Sequence, residues 1–260
     1  MGCCENLIGS KVDKIVISII VATYNAGKTI DKCLSSIGLQ KDARIELIVV
    51  DGDSTDCTME KVRSSQFVDI YVSEKDHGIY DAWNKGILLS HGEYIMFVGS
   101  DDEILPKVLI DYADFVVKLE KGIDIVTAKS DFVDLKGNLI KKIGKPYVWN
   151  EYKKNMEIAH GTTLHHKSLF DRIGYYDTQY KICADYELLM RDGGNLKAAF
   201  FDKTIMTFKV GGASFSYKCQ IETFFIRKKY HSVSLWENLY LAFRRCVGIT
   251  LKKIRYATDE

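Results

Sequence analysis

The chain of 260 residues has no apolar run near the ~18 residues of a membrane-spanning helix, and no signal-peptide pattern opens it. It also has no excess of one charge. The net charge is +1 with 27% charged residues, so no global electrostatic partner such as nucleic acid is implied. Its seven cysteines (Cys3, Cys4, Cys33, Cys57, Cys183, Cys219 and Cys246) are odd in number and show no metal-ligand spacing. That pattern favours reduced thiols in the cytoplasm over a disulfide framework. Internal repeats and low-complexity stretches are missing too. Met1-Gly2-Cys3-Cys4 hints at lipidation, but Asn6 stands where the myristoylation pattern has Ser or Thr, so a ragged N-terminus is expected.

What is present suits a soluble globular α/β protein. Apolar residues make up 47% of the chain, ample for a core. The first half alternates strand and helix signals. Strands are predicted over Ile15–Ala22, Ile45–Val50, Asp69–Ser73 and Tyr94–Val98. Helices are predicted over Lys28–Ile37, from Ser54 or Thr55 through Arg63, over Ile79–Leu89, and from about Pro106 to Glu120. Four βα units with continuous apolar strands argue a doubly wound, mostly parallel twisted sheet with helices on both faces. Asp124–Asp134 and Leu139–Ile143, joined around Gly137-Asn138, read as a hairpin. Residues 145–160 read as irregular. Lys167–Ile173 and Asp185–Arg191 read as short helices, and Phe200–Val210 as a strand ending at Gly211-Gly212. A composition shift near 215 suggests two parts: a catalytic domain over 1–215 and a basic helical tail over 216–260.

Asp101-Asp102 closes the run YIMFVGSDD. Adjacent carboxylates at a strand end are costly without a cation or a hydrogen-bond network. In parallel α/β sheets, ligands bind at the C-terminal strand ends. Hard oxygen donors there suit Mg²⁺ or Mn²⁺ on a diphosphate. The competing reading makes Asp102 the N-cap of the next helix. Three more polar clusters, ATYN, DGDSTD and EKDHGIYDAWNKG, follow the other three strands and share that edge.

Two phosphate-binding readings compete. Ala22 to Thr29, ATYNAGKT, satisfies a loose Walker A pattern, which would make the chain a P-loop NTPase. A phosphate cradle needs small, φ-permissive residues, and this loop carries Thr23, Tyr24 and Asn25. The four clusters together instead suit a nucleotide with a metal-bridged diphosphate. A nucleotide-sugar-binding protein without catalysis is the other alternative.

On these motifs the chain, from about Ile15 to Gly212, resembles the inverting family 2 glycosyltransferases with the GT-A nucleotide-sugar-binding fold, of the bacterial exopolysaccharide or O-antigen type. EKDHGIYDAWNKG carries the resemblance most specifically. Gly52-Asp53 reverses the family's usual order after the second strand, and Gly99 takes the first acidic place of its metal motif. The resemblance implies a nucleoside pocket at Thr23, Asn25, Asp51 and Asp53, with Asp51 or Asp53 accepting the uracil N3–H of a UDP-sugar. It implies donor contacts at Asp76, Tyr80, Lys85, Ser100 and Asp101, and Mn²⁺ or Mg²⁺ on Asp101 and Asp102. In KICADYELLMR, Ala184 replaces a family glutamate and Asp185 matches the base that deprotonates the acceptor hydroxyl. His160 faces the acceptor or is a satisfied structural histidine.

The tail mixes aromatic and basic residues. From Lys218 to Glu260 nine Lys/Arg face four Asp/Glu, a local +5. It reads as amphipathic helices at the inner-membrane surface, which would match a polyprenyl-diphosphate-linked saccharide acceptor. The bland reading packs them on the core or on a second subunit as a homodimer.

Overall fold

Alternate residues of the first strands go to opposite faces of one sheet, and both faces are apolar. In the computed structural model, which describes residues 14–257 except 135, 210, 211 and 213–215, and the side chains only to 251, the strands β1 (Ile17–Thr23) and β2 (Ile45–Asp51) are buried throughout. Ile17, Ile19, Val21, Leu47 and Val49 pack on one side with α1 (Ile30–Gly38), α2 (Thr58–Ser64) and α4 (Val108–Val117). Ile20, Ala22, Ile48 and Val50 pack on the other, with α3 (Ile79–Leu89) and α6 (Lys167–Ile173). Removing one such side chain to Ala costs about 2–5 kcal/mol, so this pattern fixes the register.

Among the described residues the sheet has nine strands in the order β3-β2-β1-β4-β8-β6-β9-β5, with β7 paired to β6. The remaining strands are β3 (Ile70–Ser73), β4 (Tyr94–Gly99), β5 (Glu103–Ile104), β6 (Ile125–Val133), β7 (Leu139–Ile143), β8 (Leu164–His166) and β9 (Ala198–Lys209). Pairs β1–β2, β1–β4 and β2–β3 are parallel, as expected from the four βα units. The expected hairpin is β6–β7, antiparallel. Two strands were not foreseen. β8 is only three residues and lies antiparallel between β4 and β6, and β5 pairs with β9. Within the stretch read as irregular, α5 (Trp149–Tyr152) forms, and a 3₁₀ turn follows at His160–Thr162. The predicted strand end at Gly211 and the N-terminal lipidation motif lie outside the described residues.

Helix starts differ from expectation in an instructive way. Neither Ser54 nor Thr55 caps α2: its N-cap is Cys57, and Asp56 just before it accepts at Oδ1 from the backbone N–H and the hydroxyl of Thr58. Asp102 does not cap α4. The first N–H groups of that helix, Val108 and Leu109, both donate to Gln40 Oε1 of the distant α1 end, at 3.0 and 3.2 Å.

The last two helices, α8 (Tyr217–Lys229) and α9 (Leu235–Ala257), differ from each other. The α8 side chains of Ile226 and Arg227 are buried, and Ile226 joins a third core cluster with Tyr152, Leu169, Tyr186 and Leu189. Arg227 donates to Asn238 on α9 (2.7 Å) and to the Lys154 carbonyl (3.0 Å). Helix α9 turns a row of large apolar side chains outward, with Trp236 81%, Tyr240 61% and Phe243 70% exposed.

Candidate active site

The β-strand register brings the four predicted clusters together. Thr23 is level with Asp51, Asp51 with Ser73, and Ala22 with Gly99. The strand ends therefore share one edge, and the loops after them form its rim.

Asp51 and Asp53 occupy different environments. Asp51 is fully buried and accepts from Ser54 N–H (2.9 Å), Ser54 Oγ (2.5 Å) and Ser73 Oγ (2.7 Å). Hydrogen bonds to a charged group contribute about 1.5–3 kcal/mol each, enough in sum to hold a desolvated carboxylate. Asp53 is exposed with φ +68°, so its carboxylate is the open one of the pair. Asn25, also left-handed at φ +48°, ties the first loop to the second. Its N–H donates to Ser54 Oγ (2.8 Å) and its Oδ1 accepts from Thr55 N–H (2.9 Å). Thr23 Oγ1 is buried at this edge without a hydrogen-bond partner among the described residues.

These contacts answer the P-loop alternative. The N–H groups of Asn25 and Gly27 already point at side chains of the second loop, and Gly27 N–H donates to Asp56 Oδ2 at 3.0 Å. A carboxylate sits where a phosphate would need to be, so the loop is a tie, not a cradle.

After β3, Asp76 Oδ1 accepts from Gly78 N–H (2.9 Å), and a Cβ at Gly52 would come within 2.5 Å of Asp76 Oδ2. Gly52 therefore lets the second and third loops close on each other. Lys85 bonds Glu74 (2.9 Å) and the Lys75 carbonyl (3.0 Å), so its ammonium pins this loop. Tyr80 is buried, and its hydroxyl lies 2.6 Å from Ile182 O and 3.2 Å from Asp185 Oδ1. The third loop thus reaches the second half of the chain through Tyr80.

After β4, Ser100 is half-buried and Asp101 is exposed. Asp102 Oδ2 accepts from Gly99 N–H at 3.1 Å. A Cβ at position 99 would lie 3.0 Å from Asp101 Oδ1 and 3.0 Å from Asp102 Oδ2, so both carboxylates converge on the glycine. Burial first, then the charge of Asp101, pushes Asp102 up to about 7. Two convergent carboxylates that repel each other fit a divalent cation as donor set. No group of three or more His, Cys, Asp or Glu that would hold an ion alone occurs among the described residues. Such a site would be completed by substrate oxygens, as for a metal bridging a diphosphate.

Asp185 lies in the first turn of α7 (Ala184–Met190) and is partly buried. Its Oδ1 accepts from Tyr186 N–H (2.8 Å) and lies near the Tyr80 hydroxyl, while Oδ2 has no protein partner among the described residues. Burial pushes its pKa up to about 6. One oxygen is held and one is open, on a carboxylate whose proton affinity is raised toward neutrality; that is the arrangement of a general base.

His160 packs against both Trp83 (5.0 Å, 25°) and Phe97 (5.6 Å, 19°), with Nε2 3.0 Å from the Tyr176 hydroxyl. Burial holds it well below the usual histidine range, so it is neutral. The three rings pack as a triangle, with Trp83 and Phe97 themselves 5.1 Å apart, and the histidine Nε2 is engaged by Tyr176. Ser54, read from the sequence only as a helix cap, and Ser73 hold Asp51, and neither Ser73 nor Glu222 on α8 is singled out by the sequence. Glu222 accepts three consecutive N–H groups, from Lys181 (2.9 Å), Ile182 (3.0 Å) and Cys183 (2.8 Å). A lone glutamate some 40 residues from its partners leaves no local signal.

The chain resembles known proteins in sequence and in fold. The sequence profile described as glycosyl transferase family 2 matches residues 18–174. A PGL/p-HBAD biosynthesis glycosyltransferase of Mycobacterium bovis is 28% identical over 183 residues, covering 67% of this chain and 68% of that protein. Glycosyltransferase GlyA of Streptococcus pneumoniae is 26% identical over 75% of this chain, which spans only 26% of GlyA. In structure, S. aureus TarS 1-349 in complex with UDP-GlcNAc superposes with TM-score 0.64 at 22% identity, over 83% of this chain and 65% of that one. In another TarS structure this chain spans 39% of the protein. The mannosyltransferase PcManGT of Pyrobaculum calidifontis, in complex with GDP-Man and Mn²⁺, gives TM-score 0.60 at 18% identity over 90% of this chain and 75% of that one. The sheet order and these neighbours make the fold GT-A, and the chain belongs to glycosyl transferase family 2.

Proposed function

We propose that this glycosyltransferase moves a sugar from a UDP-sugar to a hydroxyl of a saccharide acceptor in a single inverting displacement. The observation that carries the reading is Asp185, with one oxygen tied and the other open, joined through Tyr80 to the nucleotide edge. Asp53 is the open acceptor for the uracil N3–H, with Asp51 holding the loop beneath it. Asn25 and Thr23 line the nucleoside side, and Asp76 and Ser100 face the donor. Asp101 and Asp102 would hold Mn²⁺ or Mg²⁺, which when bound would neutralise the departing diphosphate. Asp185 Oδ2 takes the acceptor proton as the new C–O bond forms, a late transfer that a carboxylate of raised pKa can accept.

A panel of nucleotide-sugars tests the donor class. UDP-sugars should raise the melting temperature and release UDP on incubation, with GDP- and dTDP-sugars weaker. Equal protection by all of them would remove Asp53 as a base-reading residue.

The acceptor reading rests on α9. No helix among the described residues is long and apolar enough to cross a membrane. The outward row of Trp236, Leu239, Tyr240, Phe243, Val247 and Leu251 instead suits the interfacial zone of an anionic bilayer, with Arg244 beside it. A lipid-linked repeat-unit intermediate on the cytoplasmic face would then be the acceptor. The double variant Trp236→Ser, Phe243→Ser should lose most binding to phosphatidylglycerol vesicles. Salt should weaken binding by the unaltered chain, because screening shortens its range. Binding that is absent, or indifferent to salt, would favour the packing of α9 on a second copy.

A further inference from the structure

Helix α8 grips the segment that carries Asp185 at both ends. Upstream, the Glu222 carboxylate accepts from three successive N–H groups, Lys181, Ile182 and Cys183, just before α7. In the same place Cys183 Sγ lies 3.3 Å from Cys219 Sγ and 3.6 Å from Thr223 Oγ1. Downstream, the buried Glu187 of α7 bonds Lys229 (2.9 Å) and Tyr230 (2.5 Å) at the end of α8. On the opposite side Tyr80 bonds the carbonyl of Ile182, the residue whose N–H Glu222 holds. The peptide units leading to Asp185 are therefore fixed from two directions, one of them by a charge.

Resting on the reading of Asp185 as base, we infer that Glu222 is a positioning residue for it. Residues 181–183 belong to no helix or strand. Three N–H groups converging on one carboxylate form a nest of the kind that binds anions, here filled by a side chain of α8. Charge-assisted bonds are about twice as strong as neutral ones, so loss of the charge frees the loop while leaving the side-chain shape. Displacement of a catalytic group by about 1 Å costs on the order of 10²-fold in rate. Glu222 also faces Asp185 electrostatically. The other titratable groups packed around Asp185 are Tyr80 from α3, Tyr152 from α5, Tyr176 from the α6–α7 connection, and Cys183 and Cys219. The negative charge of Glu222 adds to burial in raising the proton affinity of Asp185.

The test is Glu222→Gln in the full chain, alone and combined with Asp185→Asn, with UDP release from UDP-GlcNAc as the assay and with amide hydrogen exchange. The single variant should keep UDP affinity, lose exchange protection at 181–183, and lower kcat about tenfold. The acidic limb of its pH–rate profile should move to lower pH, because a neighbouring negative charge is gone. In the Asp185→Asn background the same change should leave the residual rate unaltered, since no base remains to be positioned. An unchanged kcat with protected amides overturns the inference, as does an equal loss in both backgrounds, which marks a merely structural role. Full activity of Asp185→Asn alone would instead overturn the base reading, and this inference with it.

Discussion

Asp185→Asn should leave the fold and UDP affinity intact and lower sugar transfer at least ~10²-fold, the usual effect of losing a general base. The amide keeps the oxygen that accepts from Tyr186 N–H, so the start of α7 stays as it is. The unaltered enzyme should gain rate as pH rises through about 6, where the buried carboxylate ionises, and the variant's residual rate should lack that limb. The sign for stability runs the other way. The folded pKa lies above the ordinary value of about 4, so the folded state holds the proton more tightly. The stability that this proton contributes is complete below about 4 and is lost as pH rises through about 6. At neutral pH the base is thus kept at a cost in stability, and Asp185→Asn should melt no lower than the parent. Thermal melts and pH–rate curves of both proteins check this pair of statements. A variant that is inactive because it melts well below the parent would not count as loss of a base.

The second large effect concerns the cation. With Mn²⁺ or Mg²⁺ the chain should bind UDP at least about tenfold more tightly than in EDTA, roughly the worth of one charge-assisted contact. Asp102→Ala should remove that difference. Asp102 is pushed up to about 7 by burial and by Asp101, both of which a bound divalent charge would offset. Calorimetric titration in the two conditions reads the result directly. Equal UDP affinity with metal and with EDTA would reject the two-carboxylate site.

Much of the site was legible because its residues follow strands. Continuous apolar runs such as IELIVV predict buried parallel strands, and parallel strands send every following loop to one edge. Thr23, Asn25, Asp51, Asp53, Asp76, Ser100, Asp101 and Asp102 all lie there. What was hidden depends on contacts without a local pattern. Asp51 and Asp53 look alike in sequence, but Ser54 and Ser73 consume one and leave the other open. Lys85 and Tyr80 read as donor contacts; the contacts that sequence does not show are those of the first with Glu74 and of the second with Ile182 and Asp185. β8 was missed because three residues of HisHis-containing chain have no period to read. The tail read as amphipathic helices at a membrane surface, whereas α8 buries Ile226 and Arg227 on one side while exposing Ile221 and Phe225 on another, and α9 turns a longer apolar row outward. Burial of an arginine is paid by partners distant in sequence, here Asn238 and the Lys154 carbonyl.

The anomeric configuration of the transferred sugar tests the central claim most directly. The proposed mechanism, with Asp185 as the one base and a single displacement, leaves no covalent intermediate, so NMR of the first-formed product should show the configuration opposite to that of the UDP-sugar donor. Retention of the donor's configuration would contradict it.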